Sequence, residues 1–268
     1  MRRYWLPSLS VVLCVIFANL GLWQLKRLDW KNDLIARIQR NTVMQALPLQ
    51  QSSMLDSLKT DIDEYRRVSL SGIPDCARAT PVWAATQLGS GYWWMVPVRL
   101  QDGSSIWVNR GYVTPDAVAA WRAADKTACW AISIEGLLRK SQTGGGFLRA
   151  NDPVAGRWYS RDIQQMSEST QISNVSTDWF VDEWPSSGQV WDEKSAEGKD
   201  PEAKGSVARD VGDSVRRAGM PDGASVDQAV PGLTPLQFPN KHLGYALTWF
   251  ALSAVCVLGG VLALRAKV

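Results

Sequence analysis

The run WLPSLSVVLCVIFANLGLW, residues 5–23, carries no charge. Its length, about 19 residues, is enough to cross the hydrocarbon core of a bilayer. Arg2 and Arg3 precede it. A second uncharged run, residues 243–264, is again long enough to span at about 22 residues, and Arg265 and Lys267 follow it. A basic start and an apolar run also open a secretory signal. This run is longer than the usual apolar region of such a signal, and no Ala-x-Ala site follows it, so an uncleaved anchor is expected. The stretch ahead of it leaves no space for an Arg-rich organelle transit peptide, which makes a bacterial inner (plasma) membrane the expected location. Two spans place both termini on one side. Basic residues near spans prefer the cytoplasm. Arg2, Arg3, Arg265 and Lys267 favour cytoplasmic termini, whereas Lys26, Arg27, Lys31 and Lys241 oppose them.

Between the spans the texture changes. Residues 25–41 keep helical spacing and charge, so the first helix is expected to continue beyond the membrane as an extension over 24–47, ending at Pro48. From Tyr65 the pattern turns to β. Val68 and Leu70 alternate with Ser69 and Ser71, and Gly72 and Pro74 close the run. Residues 92–100 and 106–113 are rich in aromatic and β-branched types, and Asp102-Gly103 between them is a hairpin signal. Residues 130–138 and 179–181 read as further strands, and Asp162 is placed to cap a short helix from Ile163. The expected fold is a membrane protein of α+β class. Two transmembrane helices, N- and C-terminal, flank an antiparallel β-rich extracytoplasmic domain over 65–184. Residues 186–231 are rich in Gly, Asp, Ser, Ala and Lys, with Trp191 the only aromatic. That composition offers little apolar surface against the entropy of ordering, so a mobile insertion is expected, with a transient helix near 207–217.

Composition excludes several chemistries. A net charge of +3 gives no footing for nucleic acid. With one histidine in the chain, no Ser-His-Asp, Cys-His or metal-hydrolase constellation can be assembled away from His242, so an enzyme is not expected. No Cys-x-x-Cys occurs, which argues against a copper chaperone or a thioredoxin-like site. Cys76 and Cys129 can pair in an oxidising compartment, but two free buried thiols are the expected state.

On the second span, the helical repeat places His242, Tyr245, Ala246, Trp249, Ser253, Cys256 and Gly260 on one stripe. Leu243, Leu247, Phe250, Ala254, Val257 and Val261 lie opposite, which reads as a lipid-facing side. Asn240 can cap this helix, and small residues on the first stripe let a helix or a flat ring approach. On the first span Asn19, Trp23, Lys26 and Trp30 share one stripe, and Gln24, Arg27 and Lys31 another. An interfacial aromatic belt would supply the same His, Tyr and Trp, and lipid phosphates would take the same cations.

Five patterns, in chain order, resemble the surfeit locus protein 1 family of cytochrome c oxidase biogenesis factors. They are Leu20-Gly21-Leu22-Trp23-Gln24-Leu25-Lys26-Arg27 with Trp30-Lys31; Tyr65-Arg66-Arg67-Val68 leading to Gly72; Val108-Asn109-Arg110-Gly111-Tyr112-Val113; Asn151-Asp152-Pro153 with Gly156, Trp158-Tyr159 and Asp162; and Asn240 through Phe250. The resemblance implies a membrane-bound assembly factor for the haem-copper oxidase, with the β domain outside and both termini cytoplasmic. It implies haem a as cargo, delivered to subunit I, and a possible contact with haem a synthase and with membrane lipid. The family's histidine at the second span's entry matches His242, which becomes the candidate iron ligand. Tyr245, Trp249, Trp23 and Arg27 are the candidate pocket. A neutral imidazole is the form that ligates iron, and a helix N-terminus disfavours imidazolium. Two rival readings stay open. One is a haem-free scaffold that holds unassembled subunit I. The other, from a different class, is a membrane-anchored sensor or binding receptor.

Overall fold

The computed structural model describes residues 5–86, 88–123, 129–145, 149–184, 229–233 and 240–265. Two compact units divide the chain: Met1–Gln39 with Pro235–Val268, and Arg40–Thr234.

The first unit is built on two helices. Helix α1 runs Trp5–Val43, with Pro7 tolerated in its first turn. The C-terminal helix, His242–Arg265, is α5. Both are long and apolar enough to cross a membrane, and almost none of either apolar window is buried. Val11, Val12, Val15 and Ile16 on α1, and Leu247, Val257, Leu258 and Val261 on α5, are exposed. Core helices of a soluble domain would bury such residues; here lipid is the solvent that suits them.

The second unit is a β domain of seven strands: β1 Leu47–Leu49, β2 Arg67–Pro74, β3 Thr80–Thr86, β4 Gly89–Arg99, β5 Ser105–Val113, β6 Ile132–Lys140 and β7 Val175–Glu183. Short helices α2 Thr60–Asp63, α3 Pro115–Ala123 and α4 Ile163–Thr170 accompany them, with 3-10 turns at Ser52–Ser57 and Cys76–Arg78. The strand order is β1-β2-β6-β7-β5-β4-β3, and a further β2–β4 pairing, Ile73 with Arg99 and Pro74 with Val98, closes β2, β6, β7, β5 and β4 into a ring. Most pairings are antiparallel, as expected; β1–β2 and β5–β7 are parallel. The Asp102-Gly103 hairpin forms between β4 and β5, with Gly103 at φ 83°. Asp162 caps α4, its carboxylate accepting from the Gln165 amide.

Period-two alternation sends neighbouring residues of one strand into different core clusters. Ile106, Val108, Trp179 and Val181 join Val68, Leu70, Val98 and Leu138 in one cluster. The intervening Trp107 and Phe180 turn the other way, against Ile163 and Met166 of α4. There the Trp107 indole N–H donates to Ser167 Oγ at 2.9 Å, so its one polar atom is satisfied.

Two expectations change. Cys76 and Cys129 are not free thiols: a disulfide joins them, with Cα atoms 6.1 Å apart. It ties the turn before β3 to the approach to β6, so the pairing comes from tertiary proximity that spacing cannot reveal. The insertion expected at 186–231 lies outside the described residues except at its end. There Val230 exchanges both backbone hydrogen bonds with Tyr112 on β5, so 229–231 belong to the β domain. Gly111 makes this possible: it sits at φ 125°, and a Cβ there would strike the Val230 carbonyl.

Candidate functional site

A polar and small-residue seam runs between α1 and α5. On α1 it uses Ser10, Cys14, Phe17, Gly21 and Gln24, alternating steps of four and three as antiparallel helix packing requires. Opposite them stand Gly260, Ser253, Trp249, Phe250 and His242. Ser253 Oγ donates to the Cys14 carbonyl at 3.0 Å, and Phe17 stacks on Trp249 with centroids 5.6 Å apart. A Cβ at Gly21 would come within 2.5 Å of the Phe250 ring. Phe250 therefore is not on the lipid side; its ring reaches back across the helix pair because the opposite residue has no side chain. Of the expected α5 stripe, Ala246 and Ser253 are buried against α1, whereas Tyr245 is exposed and falls outside it.

His242 closes the seam at one end. Its Nδ1 lies 2.8 Å from Gln24 Oε1. Asn240 brackets the pair: its amide donates to Asn32 Oδ1 at 2.9 Å, and its oxygen accepts from the His242 amide at 3.4 Å. Asn240 thus serves the helix entrance as expected and also bridges to α1. An amide oxygen only accepts, so the contact matches the neutral tautomer that has its proton on Nδ1 and its lone pair on Nε2. This is the tautomer that can bind a metal at Nε2. Trp249, two turns along, offers an aromatic ring and small neighbours in Ala246 and Ser253.

The remaining candidates are spread. Tyr245 is 55% exposed and Trp23 57% exposed, both off the seam. Arg27 lies over the Trp30 ring at 3.8 Å. Gln24 is the residue that sequence reasoning left out of the site. The signal that would have found it is its heptad spacing with Cys14, Phe17 and Gly21.

A second polar concentration lies inside the β domain. Asp182, 2% exposed, accepts from Asn109 at 2.8 Å, Arg139 at 3.0 Å and Arg161 at 3.1 Å. Glu64 adds a second carboxylate on Arg139 at 3.2 Å. The Tyr65 ring lies under the Arg139 guanidinium at 4.4 Å, and Tyr65 itself sits at φ 67°, a conformation that side chains seldom adopt. Burial works to lower both guanidinium pKa values. It prevails at Arg161; at Arg139 the attraction of Asp182, Tyr65 and Glu64 prevails and the value is raised. Burial also raises the Tyr65 phenol. Three of the recognised patterns meet here or nearby. Asn109 supports Asp182, Arg110 pairs with Glu183, and Arg67 pairs with Glu135. Asn151 accepts from the Tyr159 and Ser160 amides and shapes the loop before α4. Each of these residues is engaged in the domain's own hydrogen bonds or ion pairs. Among the described residues no group of three or more His, Cys, Asp or Glu gathers to hold a metal ion.

Comparison with known proteins shows similarity to one family. The model of the SURF1 family matches residues 11–254. Surfeit locus protein 1 of Homo sapiens is 26% identical over 253 residues, covering 88% of this chain and 70% of that protein. The SURF1-like protein of Caenorhabditis briggsae is 25% identical, covering 90% of this chain and 69% of its own length. Surfeit locus protein 1 of Takifugu rubripes is 25% identical, with 88% and 87% covered.

Proposed function

The chain belongs to the SURF1 family, and from that membership we propose that it is a membrane-bound assembly factor for cytochrome c oxidase. It takes haem a as cargo through His242 and aids its delivery to subunit I, without turnover chemistry of its own. The observation that carries this reading is the Gln24–His242 hydrogen bond, which engages Nδ1 and leaves Nε2 as the nitrogen to meet a ligand at the mouth of a helix pair. Trp249 and the small residues beside it suit an apolar ring, and Lys26, Arg27 and Lys241 suit propionates. The disulfide between Cys76 and Cys129 supports a β domain in an oxidising compartment. That agrees with cytoplasmic termini flanked by Arg2, Arg3, Arg265 and Lys267 in a bacterial plasma membrane. Haem a synthase is the natural donor if the cargo is passed on directly.

The test is purification of the full chain from cells that make haem a, followed by an absorbance spectrum. Wild-type protein is expected to carry haem. The variant His242→Ala should accumulate normally, because a residue at a helix entrance contributes little packing, and should lose or shift the haem signal. No other histidine exists to replace it. An unaltered spectrum and normal oxidase activity in that variant would leave the haem-free scaffold as the better reading.

A further inference from the structure

We propose that Gln24 is a positioning residue that sets the tautomer and orientation of His242; the inference rests on His242 being the cargo's iron ligand. The two side chains come from different helices, 218 residues apart in sequence, and meet at 2.8 Å. A neutral imidazole has one donor and one acceptor nitrogen, and whatever binds one of them fixes the role of the other. With Oε1 accepting from Nδ1–H, Nε2 is left as the ligating atom and the ring cannot turn freely. The helices are also held together one and two turns further in, by Gly21 against Phe250 and Phe17 against Trp249, so Gln24 is not their only contact. Its amide is itself uncharged, so it orients the ring without drawing a proton onto Nε2. A carboxylate there would hold the same geometry but push more electron density into the imidazole. A plain interhelical polar contact would also join the helices, but it would carry no requirement about the tautomer.

The single histidine makes a direct test available. Full-length chain labelled with 15N-histidine, purified in detergent without haem, gives one imidazole to read by NMR. Wild type is expected to show the Nδ1–H tautomer, and Gln24→Leu should shift the population toward Nε2–H. Titration with haem a should show roughly 10–100-fold weaker binding for Gln24→Leu, the usual cost of removing such a partner. Gln24→Glu should retain binding and move the haem midpoint potential to more negative values. A wild-type ring in the Nε2–H form would overturn the proposal. So would a Gln24→Leu variant with wild-type tautomer and affinity, or a Gln24→Glu variant with an unchanged potential. If Gln24→Leu fails to accumulate, the Gln24→Glu potential decides alone. Should His242→Ala bind haem a as wild type does, the ligand reading and this one fail together. If His242→Ala loses haem while Gln24→Leu does not, only the positioning role is lost.

Discussion

Asp182 holds two guanidiniums and an amide in a place that water does not reach. Replacing it with asparagine keeps the shape and removes the charge. Arg139 and Arg161 would then share a buried site with Glu64 alone, and the cost should be about 3–5 kcal/mol, typical of breaking a buried pair. The half-exposed Arg67–Glu135 pair is the control: Glu135→Gln should change stability by no more than about 1 kcal/mol. Denaturant unfolding followed by tryptophan fluorescence compares the two, and equal midpoints would refute the assignment. The sequence reading did not single out Asp182. The reason is physical. Arg110 and Glu183 stay partly exposed, whereas their strand neighbours Asn109 and Asp182 turn to the buried side. The partners of Asp182 come from β5, β6 and the loop before α4, and nothing local distinguishes an inward aspartate from an outward one.

The Asp102-Gly103 turn announced the β4–β5 hairpin because turn chemistry is local. Strand β3 gave no such signal: its run begins Thr80-Pro81, and proline is tolerated there only because β3 is an edge strand. The stripe on α5 was legible from the helical repeat, but Phe250 was misplaced because its packing depends on Gly21 of the other helix. The disulfide belongs to the same class of facts, since it joins a 3-10 turn to the approach of β6 across 53 residues. Closing a loop of that length should stabilise the β domain by about 4 kcal/mol on chain-entropy grounds. The double variant Cys76→Ala, Cys129→Ala should therefore unfold at a clearly lower denaturant concentration than the parent. Reducing agent should bring the parent to the same midpoint and leave the variant unmoved. A parent indifferent to reduction would show that the bond contributes nothing.

Two apolar helices around a β-rich middle were readable from hydropathy alone, since a bilayer forbids an unsatisfied backbone and admits few solutions. Orientation was not, because basic residues flank both ends of each span. It becomes testable by fusion: alkaline phosphatase joined after Gly103 should be active, and joined after Val268 inactive. The reverse pattern would place the β domain in the cytoplasm. The strand order carries a consequence for biosynthesis. Among the described residues, strand β7 is the last strand made and lies in the middle of the sheet, between β6 and β5. Until residue 183 has emerged, β5 and β6 each present an open edge, and open edges recruit foreign strands. At the usual synthesis rate of about 5–20 residues per second, the interval between finishing β5 and finishing β7 lasts several seconds. During that interval the nascent chain is anchored by its first span alone, and its vulnerability to misassembly is greatest before the second span has been synthesised.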